Sequence, residues 1–266
     1  MNEAHEANRR FWDRRVDEWR EIRDRDGLLL RLASEPERAF EGSAFQQIEQ
    51  AMERLAERDG CVIGSGDNYA AFALAGCGGN VTSGDIAQRQ LDVAAERALQ
   101  LGLTIDCVRS DASSLTPILD ECFDLVVPTN GFFVWISDPT AVYPSVHRIL
   151  RPSGHHVFYD IHPFARPWEG HASPLMMKKP YWETGPFVGD GAGFNEYHWT
   201  LADLLNPISE VGLVLVNIIE SPPVSPRVWF DGRSYEEPES EEGRSDWRNN
   251  ALAGLPVWLT VTARKL

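Results

Sequence analysis

No stretch of 18 consecutive residues is apolar, so we predict no transmembrane helix. The first ten residues, MNEAHEANRR, are polar and lack the apolar centre of a secretory signal, so we expect a cytoplasmic protein. Positive charge is scarce, since 25 Lys and Arg stand against 40 Asp and Glu, a net charge of −15. Binding to nucleic acid or to an anionic membrane needs a basic face, so we predict neither as a partner.

Motifs of several enzyme and metal classes are also missing. The four cysteines form no CxxC pair, and the histidines show no HxxxH or HxE spacing. We therefore expect no metal site and no disulfide scaffold, and the cysteines are predicted to be buried thiols. A GxSxG turn is absent too, which argues against an α/β-hydrolase.

What is present is an alternation of short apolar runs with helical patterns. The predicted strands cover residues 61–64, 80–85, 104–110, 123–129 and 155–161, and the predicted helices between them cover 68–77, 87–101 and 139–150. Such alternation is typical of a parallel sheet covered on both faces. Two further strands, 213–220 and 255–265, follow a predicted helix at 200–212 and are expected to pair as an antiparallel hairpin. The prediction is a doubly wound, mainly parallel, seven-stranded Rossmann-like α/β sheet.

The flanking segments differ from this pattern. Residues 7–23 and 44–58 have apolar positions at helical spacing, so we interpret 1–58 as an N-terminal helical arm and 59–266 as the main domain. Residues 162–199, rich in Pro, Gly and aromatics, are predicted to be a lid. Residues 221–254 are predicted to form a long acidic loop.

A glycine-rich turn carries the strongest chemical signal. Gly64-Ser65-Gly66 follows a strand and precedes a helix, and Asp85 ends the next strand 19 residues after Gly66. A carboxylate there accepts the hydroxyl protons of a ribose. A dinucleotide site would place a third glycine at position 69, where this chain has Tyr69. It would also have a YxxxK pair downstream, but the residue four positions after Tyr143 is His147. The dinucleotide interpretation is therefore the weaker one.

The chain resembles the class I S-adenosylmethionine (SAM) dependent methyltransferases. Four segments carry the resemblance, GSGDNYAAFALAGCGGNVTSGD (64–85), CVRSDASSL (107–115), FDLVVPTNGFFVWISDP (123–139) and HRILRPSGHHVFYD (147–160). The last is similar to the family's RxLxPGG turn. The GSGDN turn and the downstream pattern HPF…EYHWTLADLLN are similar to a subgroup of bacterial small-molecule methyltransferases. The resemblance implies SAM as cofactor, held by Gly64, Ser65, Gly66, Asn68, Asp85, Ile86, Asp111, Ala112 and Asn130.

Two positions depart from the family's glycine-rich motif. Val62 stands where the family has an acid, and Asn68 stands where it has a third glycine. The acid helps to organise the loop at the methionine end of the cofactor. We expect Asp67 and Asn68 to substitute as acceptors for the ammonium group.

The acceptor site should follow the fourth and fifth strands and include the lid. His162 and His198 are the candidate bases because histidine titrates near neutral pH, and Tyr197 is a third candidate catalytic residue. Aromatic residues are candidates for stacking on a planar acceptor, namely Trp12, Phe132, Trp135 and Trp199.

The expected function is methyl transfer to a small molecule, with N- or C-methylation of an aromatic or heterocyclic natural-product intermediate as a specific case. The tetrapeptide Pro128-Thr129-Asn130-Gly131 replaces the NPPY of amino-group DNA methylation, in agreement with a non-DNA substrate. Two alternatives remain, an NAD(P)-dependent oxidoreductase and a non-catalytic or repurposed SAM-fold protein. The sequence leaves the assembly, including a homodimer, open.

Overall fold

A computed structural model describes residues 2–67, 69–169, 174–189, 193–222 and 246–266. A seven-stranded sheet forms its centre, in the order β3-β2-β1-β4-β5-β9-β8. The strands are β1 Asp59–Ile63, β2 Asn80–Asp85, β3 Ile105–Arg109, β4 Phe123–Pro128, β5 Leu150–Ile161, β6 Phe187–Val188, β7 Asn195–Glu196, β8 Leu213–Ser221 and β9 Trp258–Lys265. The helices are α1 Glu3–Arg14, α2 Val16–Asp26, α3 Ala44–Met52, α4 Tyr69–Gly76, α5 Gln88–Gln100, α6 Val142–Ile149 and α7 Leu201–Glu210.

The strand directions confirm the predicted sheet. β1 pairs in parallel with β2 on one side and with β4 on the other, and β3 and β5 extend these two halves in parallel. β9 lies antiparallel between β5 and β8, which confirms the predicted hairpin of the last two strands. The strand order reverses between β1 and β4, and ligands of doubly wound sheets bind at such a point.

Apolar helices cover both faces of the sheet. On one face α4 is buried from Tyr69 to Ala75 and packs, with Ile48 of α3, into one apolar cluster. On the other face Val146 of α6 and Leu204 of α7 belong to a second cluster. The near-continuous apolar runs of the parallel strands follow from burial on both faces, as predicted from the sequence.

Three predicted boundaries are wrong. The helix expected over 7–23 is two helices, because Arg15 leaves the helical conformation (φ −97°, ψ 8°) and separates α1 from α2. The helix expected over 44–58 ends at Met52, since Glu53 takes a positive φ of 55°. Residues 151–154, expected to form a turn before the fifth strand, belong to β5, with Ser153 at φ +67°.

The lid and the acidic loop are only partly described. Residues 170–173 and 190–192 of the predicted lid, and 223–245 of the predicted acidic loop, lie outside the described residues. The four cysteines are unbonded, Cys61 buried and the other three half-buried. None of the helices that the structure describes combines the length and apolarity of a membrane span. Among the same residues, no group of three His, Cys, Asp or Glu is placed to hold a metal.

Candidate active site

A cavity of about 690 Å³ opens at the carboxyl ends of the parallel strands. Its volume falls in the range of small-molecule sites, roughly 300–1,000 Å³. Helix α1 and the 3₁₀ turn at Phe133–Trp135 contribute to its wall. Most of the predicted site residues line it, namely Trp12, Gly64, Ser65, Gly66, Asp85, Ile86, Asp111, Ala112, Asn130, Phe132 and Trp135.

The glycine turn after β1 admits no side chain at its first glycine. Gly64 has φ +61°, and a Cβ there would lie 2.4 Å from a ring carbon of Phe132. Gly66 has φ +44°, and a Cβ there would lie 3.3 Å from Gln90 and 3.4 Å from the Asp85 carboxylate. Glycine satisfies both the positive φ and the close packing. Without side chains at these two positions, a ligand can approach the main chain of the turn.

Asp85 stands at the end of β2 beside this turn. Its Oδ1 accepts the backbone N–H of Ala87 at 2.7 Å. Burial raises the pKa of this carboxyl to about 6, against backbone hydrogen bonds from Ala87, Gly66 and Ile86 that lower it. A half-buried carboxylate on the cavity wall is an acceptor for ligand hydroxyls, which fits the ribose of a SAM molecule.

Asp111 is held by a residue that the sequence did not single out. His5 of α1 contacts its carboxylate through Nδ1 at 3.0 Å, and the backbone N–H of Ser113 donates to it as well. Burial alone would raise the pKa of Asp111, but the hydrogen bonds from His5 and Ser113 bring it down to about 2. The backbone N–H of Ser137 donates to His5 Nε2 at 3.1 Å, so the ring proton lies on Nδ1 and is donated to Asp111.

Asp67 does not take the place of the missing acid at Val62. Its side chain is 1% exposed and lies 2.7 Å from Arg97 Nε and 3.4 Å from an Arg23 nitrogen. Burial raises the pKa of Asp67, and the two arginines oppose that rise. Both oxygens face these cations, and Asp67 also lines the cavity, so its expected role as an ammonium acceptor stays a prediction. Asn68, the other expected substitute, lies outside the described residues.

Asn130 supplies an unused acceptor on the wall. Its Oδ1 is buried and, within the part of the chain that the structure describes, has no hydrogen-bond partner. Burying such an atom unpaired is unfavourable, so it is suited to a donor on a bound ligand. Together with the glycine turn and Asp85, it makes the cavity fit a polar nucleoside ligand such as SAM.

The structure does not bring the predicted catalytic residues to the cavity. His162 is 2% exposed, accepts the N–H of Phe164 and contacts Glu220 at 2.9 Å through Nε2. The ring of His198 packs on Phe187, and burial lowers its pKa to about 3. Neither His162 nor His198 lines the cavity.

Tyr197 and Trp199 form a separate stacked pair. Their rings lie 5.4 Å apart and nearly parallel, and the Trp199 indole donates to the backbone oxygens of Phe133 and Ile136. Neither residue is part of the cavity lining. Trp199 thus fixes the backbone that carries the lining residues, Phe132 and Trp135.

Several lining residues were missed by sequence reasoning. Charged or polar members are His5, Asn8, Arg23, Glu41, Arg166 and Glu196, and the aromatic members are Trp19, Tyr69 and Trp258. The arm residues among them have no local signal in the sequence, since their role depends on how α1 and α2 pack on the sheet. Arg166 lies five residues after β5. Its place near the carboxyl end of a parallel strand, where ligands of such sheets bind, was the signal that could have identified it.

Comparison with known proteins agrees with this geometry. Residues 61–158 match the family described as "Methyltransferase domain". A ubiquinone biosynthesis O-methyltransferase of Pectobacterium atrosepticum is 28% identical over 121 residues, which are 46% of this chain and 50% of that protein. The chain thus spans about half the length of this curated relative.

Two solved structures have the same fold. A SAM-dependent methyltransferase from Mesorhizobium loti is 20% identical, with a TM-score of 0.62 over 84% of this chain and 98% of that one. A putative SAM-dependent methyltransferase from Listeria monocytogenes is 16% identical, with a TM-score of 0.59 over the same shares. At these identities the likeness establishes the fold, while the family match implies SAM as the cofactor. Residues 61–158 therefore match a methyltransferase domain, and the chain has the fold of the SAM-dependent methyltransferases.

Proposed function

We propose that this protein transfers the methyl group of SAM to a small-molecule acceptor inside the cavity. The observation that carries the proposal is the placement of the half-buried Asp85 carboxylate beside the Gly64–Gly66 turn, both on the wall of that cavity. This arrangement supports binding of the ribose and of the chain that leads to the methyl donor.

The lining residues divide the work of holding the cofactor. Asp85 accepts from the ribose hydroxyls, Ile86 and Ala112 provide apolar contact for the adenine, and Asn130 offers its unpaired oxygen. When bound, SAM supplies an activated methyl group on a sulfonium. The chain's task is then to orient the acceptor and to exclude water.

Aromatic rings favour a flat acceptor. Trp12 and Trp135 pack edge to face at 5.0 Å on the cavity wall, and Trp19 lies 5.7 Å from Trp12. Such walls stack on planar groups, in support of an aromatic or heterocyclic natural-product intermediate. The methylated atom is a nitrogen or carbon in our proposal. Oxygen is the alternative, because the Pectobacterium relative is an O-methyltransferase.

A base, where the acceptor needs one, belongs to the cavity wall itself. Glu196 of β7 lines the cavity, whereas His162 and His198 do not. Sulfonium methyl transfer to a neutral amine or an electron-rich ring depends mainly on alignment, so we assign the protein chiefly a positioning role.

The experiment is a turnover assay with SAM and a panel of aromatic and heterocyclic acceptors. We expect S-adenosylhomocysteine (SAH) to form in step with a methylated product, and Asp85→Ala to lose this turnover. Asp106→Asn, an exposed acid on the neighbouring β3, is the matched control and should keep it. SAH release without a methylated product, or turnover unchanged in Asp85→Ala, would contradict the proposal.

A further inference from the structure

The cavity lining also includes a cation, Arg166, which follows a hydrogen-bonded turn. Arg166 directly follows the 3₁₀ turn Pro163–Ala165, which comes one residue after β5. The side chain of His162 accepts from Phe164 N at 3.1 Å, and the N–H of Arg166 donates to Pro163 O at 3.2 Å. The Arg166 side chain is 21% exposed and lines the cavity.

The donors of Arg166 are not used by its carboxylate neighbour. The shortest separation, from Arg166 Nη2 to Asp160 Oδ1, is 3.9 Å, which is too long for a hydrogen bond. Asp160 instead accepts the N–H groups of Ile161 at 2.7 Å and Phe133 at 3.1 Å. Within the described ranges, no atom accepts a hydrogen bond from the guanidinium.

Burial makes these unused donors costly. It lowers the pKa of Arg166, while the charges of Asp160 and Glu196 oppose that change. A guanidinium has five N–H donors in a planar fork that matches a carboxylate. Glu196 also lines the cavity, and among the described residues no ion pair joins it to Arg166.

Two lysines strengthen the positive field here. The chain has three lysines, and Lys178 and Lys179 both donate their backbone N–H to Pro167 O, at 2.8 and 3.4 Å, beside Arg166. Lys178, Lys179 and Arg166 lie close enough for their charges to lower the pKa of His198, in a chain with a net charge of −15. Such a field draws small anions toward the cavity.

We propose that Arg166 binds a carboxylate of the methyl acceptor, so that the acceptor is an aromatic carboxylic acid. The inference rests on the proposed function and defines its substrate class. Arg166 provides two parallel N–H donors for the carboxylate, while Trp135 and Trp258 on the same wall contact the ring. Arg166 is a specificity residue here, and no proton transfer is assigned to it.

The test compares matched acids and amides on the SAH complex. The probes are 4-hydroxybenzoate with 4-hydroxybenzamide, and indole-3-acetate with indole-3-acetamide, titrated by calorimetry or by quenching of the cavity tryptophans. At least one acid should bind about tenfold more tightly than its amide, as expected for a charge-assisted bidentate contact. Added salt should reduce this preference in the wild-type protein.

Variants separate recognition from folding. Arg166→Gln should abolish the preference for acids while keeping SAH affinity within about twofold, and Arg166→Lys should keep part of it. Asp106→Asn, a change of charge at an exposed position of β3, should keep the preference. Should Arg166→Gln fail to fold, the salt dependence and Arg166→Lys still decide.

Three outcomes overturn the proposal: amides that bind as tightly as acids, no acid that binds the SAH complex, or a preference that survives Arg166→Gln. Each of these leaves SAH binding intact. Loss of SAH binding in the wild-type protein would instead overturn the proposed function, so the two failures are distinguishable.

Discussion

His5 in the first helix donates a hydrogen bond from Nδ1 to the carboxylate of Asp111, 106 positions away in the chain, at 3.0 Å. The same ring accepts from the backbone N–H of Ser137 through Nε2. His5 thus ties α1 to two loops at the carboxyl ends of the strands, and this tie helps α1 to form a wall of the cavity.

Replacing His5 with Ala should destabilise the protein by about 1–3 kcal/mol, because the buried Asp111 carboxylate loses one of its side-chain donors. Urea unfolding at pH 7 measures the change. His147→Ala, a half-buried histidine on α6, is the control and should cost less than 1 kcal/mol. Equal losses in the two variants would show that the His5–Asp111 bond does not contribute.

Asp111 should also make stability depend on acid. Its folded pKa of about 2 lies below the reference value of 3.8, so the folded state binds this proton less readily than the unfolded state. The stabilisation, about 2 kcal/mol, is fully present above pH 4 and is lost as the pH falls from about 4 to 2.

Unfolding free energies measured between pH 2 and 5 check this dependence. Asp111→Asn should flatten it, whereas the exposed Asp106→Asn should not. An identical slope in Asp111→Asn and in the wild-type protein would mean that other carboxyl groups cause the acid sensitivity.

Gly64 and Gly102 both have a positive φ, so alanine at Gly102 is a control for alanine at Gly64. Gly64→Ala places a Cβ 2.4 Å from the Phe132 ring at φ +61°, so we expect a loss of more than about 2 kcal/mol and weakened SAH binding. Gly102→Ala at φ +67° has the same backbone strain with no atom within 4 Å, and should cost about 1 kcal/mol.

Thermal or urea unfolding of both variants isolates the clash from the strain. The double variant Gly64→Ala/Phe132→Leu should recover part of the stability because it removes the opposing ring. Equal costs at Gly64 and Gly102 would argue against the close packing of Phe132 on the turn.

Asp67→Asn, which keeps the size of the side chain and removes its charge, should lower the free energy of unfolding strongly. It leaves Arg97, which is 2% exposed, beside an amide rather than a carboxylate, and removing one partner of a buried pair costs about 3–5 kcal/mol. Asp24 contacts the same arginine at 2.7 Å but is 57% exposed, so Asp24→Asn should cost under about 1 kcal/mol.

Chemical denaturation of the two variants provides the comparison. A loss at Asp67 no larger than that at Asp24 would mean that the buried pair contributes no more than an exposed one.

The sheet was predictable because its signals are local. β2 was predicted residue for residue over Asn80–Asp85, where the β-branched Val81 and Thr82 precede an acid and a strongly periodic helix follows. The helix α7, which Thr200 caps, was predictable for the same reason, because Thr200 and Asp203 form a capping box. The helical pattern over 7–23 gives no signal for the break at Arg15, which separates α1 from α2 in the structure.

The site was predictable only on the side built from strand ends. Gly64, Asp85 and Asn130 follow β1, end β2 and follow β4, three strands that are neighbours in the sheet. The sheet topology alone therefore brings them together. His5 was missed because its partner is remote in the chain. His162 was chosen because histidine titrates near pH 7, but packing against the backbone of Phe164 and near Glu220 directs its ring away from the cavity.

The most direct test is calorimetric titration of SAH into the wild-type protein, Asp85→Asn and the control Asp106→Asn, between pH 5 and 8. Burial raises the pKa of Asp85 to about 6 in the free protein, and a ribose requires the ionised form as acceptor. Affinity should therefore rise with pH up to about 6 and level off above it, by up to about tenfold per pH unit below 6.

We predict micromolar binding by the wild-type protein and by Asp106→Asn, and binding that is much weaker and independent of pH in Asp85→Asn. Absence of SAH binding, or binding of NAD(P) in its place, would contradict the assignment of this cavity to S-adenosylmethionine.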